Sequence, residues 1–189
     1  MKKYKILLVI LLAIFLTSCD KFLGVNEGVI EYDVTFLDSE KKEKPVIGLL
    51  PTEMKIIFKD GSSKSKIEGF MGMFLTAYIS NTKNKTNTIL FKVMSDKNCT
   101  VTPFGEKTLG FDDAPGIHIE KTKETKEIAG YKAKKAHVTF DDKSIESFDI
   151  YYTEKIKIEN PNWNNPYKEI NGVLLEFKIK MKGITMNVK

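Results

Sequence analysis

Alternation with a period of two runs through most of this chain, and it limits the fold more than any other feature. Gly28 to Phe36 reads GVIEYDVTF. Ile30, Tyr32, Val34 and Phe36 fall on one side, and Glu31, Asp33 and Thr35 on the other. Successive side chains of a strand point to opposite faces, so this pattern predicts a half-buried strand. Met54, Ile56 and Phe58 mark a second strand, which Asp60-Gly61 turns. Ala136, Val138 and Phe140 define one face of Tyr131 to Phe140, and Phe148, Ile150 and Tyr152 one face of the next run. Val173, Leu175, Phe177, Ile179 and Met181 make the clearest strand, and Lys182-Gly183 turns it into Ile184, Met186 and Val188.

Two segments are less regular. In Ile67 to Ile79, the residues Ile67, Phe70, Met71, Phe74, Leu75 and Tyr78 fit a helical face, while Met71, Met73, Leu75, Ala77 and Ile79 alternate. Gly69 and Gly72 weigh against a helix. A strand from Leu75 to Asn81, paired through Thr82 to Thr86 with Asn87 to Met94, is the favoured expectation. Its partner would turn Ile89, Phe91 and Val93 inward. Pro103 to Pro115 reads as irregular, Lys121 to Lys126 as a turn after the strand opened by Ile117 and Ile119, and residues 159–169 as a loop holding the one Trp. About nine short strands with tight turns and no βαβ pattern predict a mainly β fold. The expectation is a single strongly curved antiparallel sheet with at most one or two short helices.

The beginning of the chain follows another rule. Ile6 to Leu16 is an apolar run of eleven residues behind Lys2, Lys3 and Lys5. A spanning helix needs about 20 apolar residues, so this run is a secretory leader. Leu16-Thr17-Ser18-Cys19 resembles the lipobox of bacterial lipoproteins. The resemblance implies that Cys19 takes a diacylglycerol through its thiolate and that the leader is cut before it. Each buried CH₂ of such an anchor contributes about 0.8 kcal/mol, and two or three chains hold stably. The expected organisation is a signal peptide at 1–18, an anchor and short tether at 19–27, and a β domain at 28–189. Asp20 leaves the choice of membrane open, with the outer membrane favoured.

Charge is informative once the leader is set aside. Losing Lys2, Lys3 and Lys5 leaves 27 basic residues against 25 acidic ones, all the basic ones lysine. Arginine is the preferred fork for phosphates and base edges. Lysines that alternate with acids read as solvated strand faces, so nucleic acid is not an expected partner. With Cys19 lipidated, Cys99 has no partner within the chain. Neither a metal site nor a cofactor is expected from two histidines and one free thiol set far apart.

Four stretches resemble a known family when taken together. They are Gly28-Val29-Ile30-Glu31-Tyr32, Ile128 to Ala136, Tyr151 to Ile156, and Asn171-Gly172-Val173-Leu174-Leu175-Glu176-Phe177. Their order is similar to that of envelope lipoproteins related to the GLPGLI family, whose namesake motif is reduced here to Asn171-Gly172-Val173-Leu174-Leu175. The resemblance implies a half-barrel like that of the lipoprotein carrier LolA. Its relatives bind acyl chains in the concave face, and it carries no catalytic residues to this chain.

The candidate sites follow. Phe70, Met71, Met73 and Phe74 could line an apolar ligand, since methionine adapts to varied apolar partners; ordinary core is the bland alternative. Trp163 and Tyr167, between Pro161 and Pro166, could form a partner-binding loop or fold back over a sheet edge. His118 and His137 stand singly, and Asp112-Asp113 and Asp141-Asp142 read as turn residues. The expected function is that of a non-enzymatic lipoprotein of a Gram-negative cell envelope. It would be held to a membrane by Cys19 and would bind an acyl chain or other lipid, or else hold a partner protein.

Overall fold

A computed structural model describes residues 24–69, 72–106 and 110–189. Eleven strands form one antiparallel sheet: β1 (Glu27–Phe36), β2 (Glu53–Lys59), β3 (Ser62–Gly69), β4 (Phe74–Asn81), β5 (Thr86–Val93), β6 (Asp96–Pro103), β7 (Ile117–Ile128), β8 (Tyr131–Phe140), β9 (Phe148–Thr153), β10 (Val173–Met181) and β11 (Ile184–Val188). The named helical elements are short, α1 (Asp38–Glu43) and a 3₁₀ turn over Pro45–Leu49. None is long and apolar enough to cross a membrane, a statement that says nothing about strands.

The strand order is β6-β5-β4-β3-β2-β1-β11-β10-β9-β8-β7. Every neighbour but one is also a neighbour in sequence. The exception is the central pair, where Val34 faces Val188 and Phe36 faces Met186. The chain thus runs outward from the middle to the β6 edge, crosses to the opposite edge at β7, and returns to the middle. The sheet is not closed, because β6 and β7 remain its two edges.

Local chemistry explains the hairpins. Asp60-Gly61, Ala129-Gly130 and Lys182-Gly183 each pair two residues of positive φ, the requirement of a two-residue turn whose twist suits the strands. The first and last turns match the sequence expectation. The lysine-rich stretch Lys121 to Lys126 does not: it lies inside β7, which runs on to Ile128, with a register shift between Lys121 and Thr125. The segment expected to be irregular begins with strand, since β6 extends to Pro103. The ambiguous segment is strand over its described ends, in β3 and β4.

Lysines and acids pair across the outer face. Lys55 Nζ lies 2.7 Å from Glu31, Lys59 2.7 Å from Glu27, and Lys134 2.7 Å from Glu154. Pairs this exposed are screened by water and add little to stability. The opposite face holds the main core. Tyr32, Val34 and Phe36 of β1 join Val138, Ile150, Tyr152, Phe177, Ile179, Met186 and Val188 from the other half of the sheet. Burying one such side chain contributes about 1.5–3 kcal/mol.

One strand breaks its alternation. A register shift between Leu174 and Glu176 places Leu174 with Phe177 in the main core. Val173 and Leu175 go to a smaller cluster with Phe58, Ala133 and Ile156. The hydroxyl of Tyr32 donates to the Leu174 carbonyl at 2.8 Å, which satisfies an acceptor at the irregularity.

The core face is covered by connections, among them the 3₁₀ turn that buries Ile47. Residues 154–172 pass along one end of the sheet, making parallel bridges from Ile156 to Val25 and from Ile158 to Gly61. They then turn inward, so that Tyr167 and Ile170 enter the core. The link between β6 and β7 lies beside them, with Phe111 donating its N–H to the Asn164 carbonyl at 3.1 Å.

Candidate functional site

Strand register places Phe58, Ser63, Ser80, Asn87 and Thr102 in one row across β2 to β6. Directly paired residues of adjacent strands share a face. Phe58 is core, so the row runs from apolar at β2 to polar at β3 through β6 on that same face. The next row, Ile56, Ser65, Tyr78, Ile89 and Thr100, changes character less sharply. The inner face is therefore polar toward the β6 edge, at the end where β4 turns into β5.

A cavity of about 570 Å³ lies over that polar corner. Ser80 and Asn87 form its sheet side, Phe104 to Glu106 one wall, and Asn160 to Trp163 the other. Ser80 is 1% exposed and Asn87 4%. Among the described residues, Ser80 Oγ, Asn87 Oδ1 and, beside Asn87 in register, Thr102 Oγ1 have no hydrogen-bond partner, and neither has Thr76 Oγ1. A buried polar atom left unpaired costs about 1–3 kcal/mol. Four of them gathered on one half of a sheet is a concentration that ordinary core packing would not favour.

The wall opposite the sheet is held firmly. Asn162 is buried, and its Nδ2 donates to the carbonyls of Ile170 at 2.8 Å and Gly172 at 3.0 Å. Its Oδ1 accepts from Asn165 Nδ2 at 3.2 Å. Trp163 packs edge-on against Tyr78, with centroids 6.3 Å apart, and Tyr78 also meets Phe111 at 5.3 Å. Burial, helped by the charge of Asp112, pushes the Tyr78 phenol up to about 12, so it stays protonated. Lys85 of the β4–β5 turn reaches Glu159 at 2.8 Å and lies 5.5 Å from the Phe104 ring centroid, tying both walls to the sheet.

Residues singled out by sequence fall in different places. Cys19 lies outside the described residues, as do Phe70 and Met71. Met73 is 47% exposed. Phe74 is half-buried, packs edge-on to Phe91 at 6.1 Å, and borders an apolar void of about 20 Å³ at the opposite end of the sheet from the polar corner. Trp163 lines the 570 Å³ cavity. Tyr167 is 1% exposed, and its hydroxyl donates to the Lys178 carbonyl, so it belongs to the core. The structure thus separates this pair, with Trp163 on the cavity and Tyr167 in the core.

The histidines have partners that sequence spacing did not reveal. His118 Nε2 donates to Asp141 at 2.7 Å, and His137 Nδ1 donates to Asp149 at 2.7 Å, since an ionised carboxylate can only accept. Lys135 reaches the other Asp149 oxygen at 3.0 Å. Asp112 caps a turn: its carboxylate accepts the N–H groups of Lys182 at 2.9 Å and Gly183 at 2.7 Å. Asp142 accepts the Ser144 N–H at 2.9 Å. Among the described residues no group of three or more His, Cys, Asp or Glu could hold a metal ion.

Sequence reasoning missed Ser80, Asn87 and Thr102 because polar residues on a strand are read as facing water. The signal was their parity. Ser80 shares its face with Tyr78, Asn87 with Ile89, and Thr102 with Thr100. No protein-family model matches the chain, and no curated protein is similar to it.

Proposed function

We propose that this chain is a non-enzymatic lipoprotein of the Gram-negative cell envelope that holds a small ligand between its sheet and the segment 154–172. The observation that carries this reading is the 570 Å³ cavity floored by the unpartnered Ser80 and Asn87. Its volume lies within the range of small-molecule sites, about 300–1,000 Å³. The proposal takes the sheet to be bent toward that segment as a half-barrel, consistent with a core face covered by connections and with edges left apart at β6 and β7. Such a shape agrees with the LolA-like resemblance.

Cys19 is the proposed anchor, on the strength of the leader and the Leu16-Thr17-Ser18-Cys19 motif. From Cys19 to Gly24 the chain can span at most about 18 Å. Val25 sits beside Ile156, at the end of the sheet where the cavity lies. A short tether there keeps the cavity end near the headgroups, with Met73 and Met94 at the far end.

A lipid ligand is the second reading. Met73, Val93 and Met94 leave an exposed apolar surface at that far end. A second void of about 50 Å³, lined by Tyr32, Met54, Tyr78 and Phe177, runs under the covering segment. An acyl chain would need that segment to lift.

Native mass spectrometry of the processed protein, extracted in detergent, tests both readings. A bound small molecule lost in Asn87→Leu supports the first. A bound lipid unaffected by that change supports the second. An empty protein sinks both and leaves a self-filled module that holds a partner protein. For the anchor, Cys19→Ala should abolish lipid labelling and release the protein from the membrane fraction. Retention of residues 1–18 in the intact mass would overturn that part.

A further inference from the structure

The polar corner also restricts the chemistry of its occupant, and we infer that the cavity takes a neutral, polyhydroxylated ligand of one or two sugar rings. This inference rests on the ligand-binding reading above and names the class of ligand.

Three alternatives fit the walls less well. An apolar occupant would leave Ser80 Oγ and Asn87 Oδ1 as unpaired as they are now, and a buried polar group without a partner is unfavourable. An anionic ligand would need a cluster of cations. The lining residues include one lysine, Lys168, with the carboxylates of Glu106 and Asp113 on the same cavity, and arginine is absent from the chain. A cation would need several converging acidic or carbonyl oxygens, and no group of three or more acidic, histidine or cysteine residues converges among the described residues.

A hydroxylated ligand matches what is present. Asn87 Oδ1 is an acceptor waiting for a donor, while the hydroxyl of Ser80 can donate and accept. A sugar hydroxyl can likewise play either part, so one ring can serve both groups. Trp163 adds an aromatic surface in the same cavity, suited to the C–H face of a pyranose. The register of β4 and β5 sets Ser80 directly opposite Asn87, close enough for hydroxyls of one ring to reach both. Rigid strands hold these groups in place, which lowers the ordering cost of binding.

The test is titration of the processed protein, in a detergent without a sugar headgroup, against glucose, maltose, N-acetylglucosamine and chitobiose. Isothermal calorimetry and amide NMR shifts read the binding. At least one sugar should bind with Kd below about 1 mM, shifting the amides of Ser80 and Asn87. Asn87→Leu should weaken it by about tenfold or more, a loss of 1.4 kcal/mol per decade. Ser80→Ala, a smaller change that keeps the fold, should weaken it measurably, and Lys132→Ala on distant β8 should leave it unchanged. Failure of all four sugars with the fold intact, or binding indifferent to both Asn87→Leu and Ser80→Ala, overturns the sugar assignment. Native mass spectrometry on the same samples separates the two failures. A non-sugar molecule lost in Asn87→Leu ends the sugar class and leaves the ligand site standing. A cavity filled by water only ends both.

Discussion

Asp149 shows how a surface residue of this chain is tuned by its neighbours. The His137 hydrogen bond, joined by Lys135 on the other oxygen, holds its carboxyl below the ordinary 3.8 against the opposing effect of burial. A carboxyl with a lowered folded pKa favours the folded state above its unfolded pKa. That contribution fades as the pH falls below 3.8 toward the folded value. The group is about one-third exposed, so the pair belongs with surface contacts of about 1 kcal/mol or less. Asp149→Asn should therefore lower stability slightly at neutral pH and flatten its decline in acid. Urea unfolding of both proteins at pH 7 and pH 3 checks this. Equal losses on acidification would show that the three side chains meet without coupling to folding. The unpartnered oxygens of Ser80 and Asn87 are the contrasting case, since their cost falls on the fold unless water or a ligand answers them.

The covering connections depend on a few backbone contacts. The Asp112 N–H donates to the Lys180 carbonyl at 2.8 Å, and its carboxylate takes two amides of the β10–β11 turn. This fixes the link from β6 to β7 against the middle of the sheet. Asp112→Ala removes two charge-assisted bonds, and a loss of about 2 kcal/mol is expected. Hydrogen exchange should quicken at Lys182 and Gly183 and in residues 110–116; unchanged protection would show that Phe111 and Tyr78 hold the link by packing alone. The same elements show which strands sequence could reveal. β1, β2, β8 and β9 alternate between core and water, and that contrast wrote them into the pattern. β6 is an edge strand exposed on nearly all its length, and the latter half of β7 is largely exposed, so neither carries a contrast to read. β3 begins Ser-Ser-Lys-Ser-Lys, with Ser63 and Ser65 on the inner face, where Ile67 is the one apolar mark. The cavity was hidden by the same rule, because polarity was taken as a sign of solvent.

At the scale of the whole molecule, the hairpins follow from local turns, but the pair that joins the two halves does not. Alternation assigns faces and leaves open which distant strands pair. β1 and β11 meet through Val34–Val188, Thr35–Asn187 and Phe36–Met186, extended by reciprocal bonds between the backbones of Asp33 and Lys189 at 2.8 and 3.0 Å. This seam is short, yet it unites the meander of β1 to β6 with that of β7 to β11, and core residues of both halves pack across it. Contacts between residues so far apart in sequence carry a large closure cost and form late. Asn187 faces Thr35 on one side and Lys178 on the other, inside a strand paired on both edges. Proline there removes a ladder donor from a central strand and fixes φ, at a cost of about 3 kcal/mol or more. Asn187→Pro should lower the thermal midpoint sharply and split a single unfolding transition into two, the first exposing the β1 and β11 amides to exchange. A variant that still unfolds in one step, with β1 amides as protected as before, would mean that the covering segments, and not the seam, hold the two halves together.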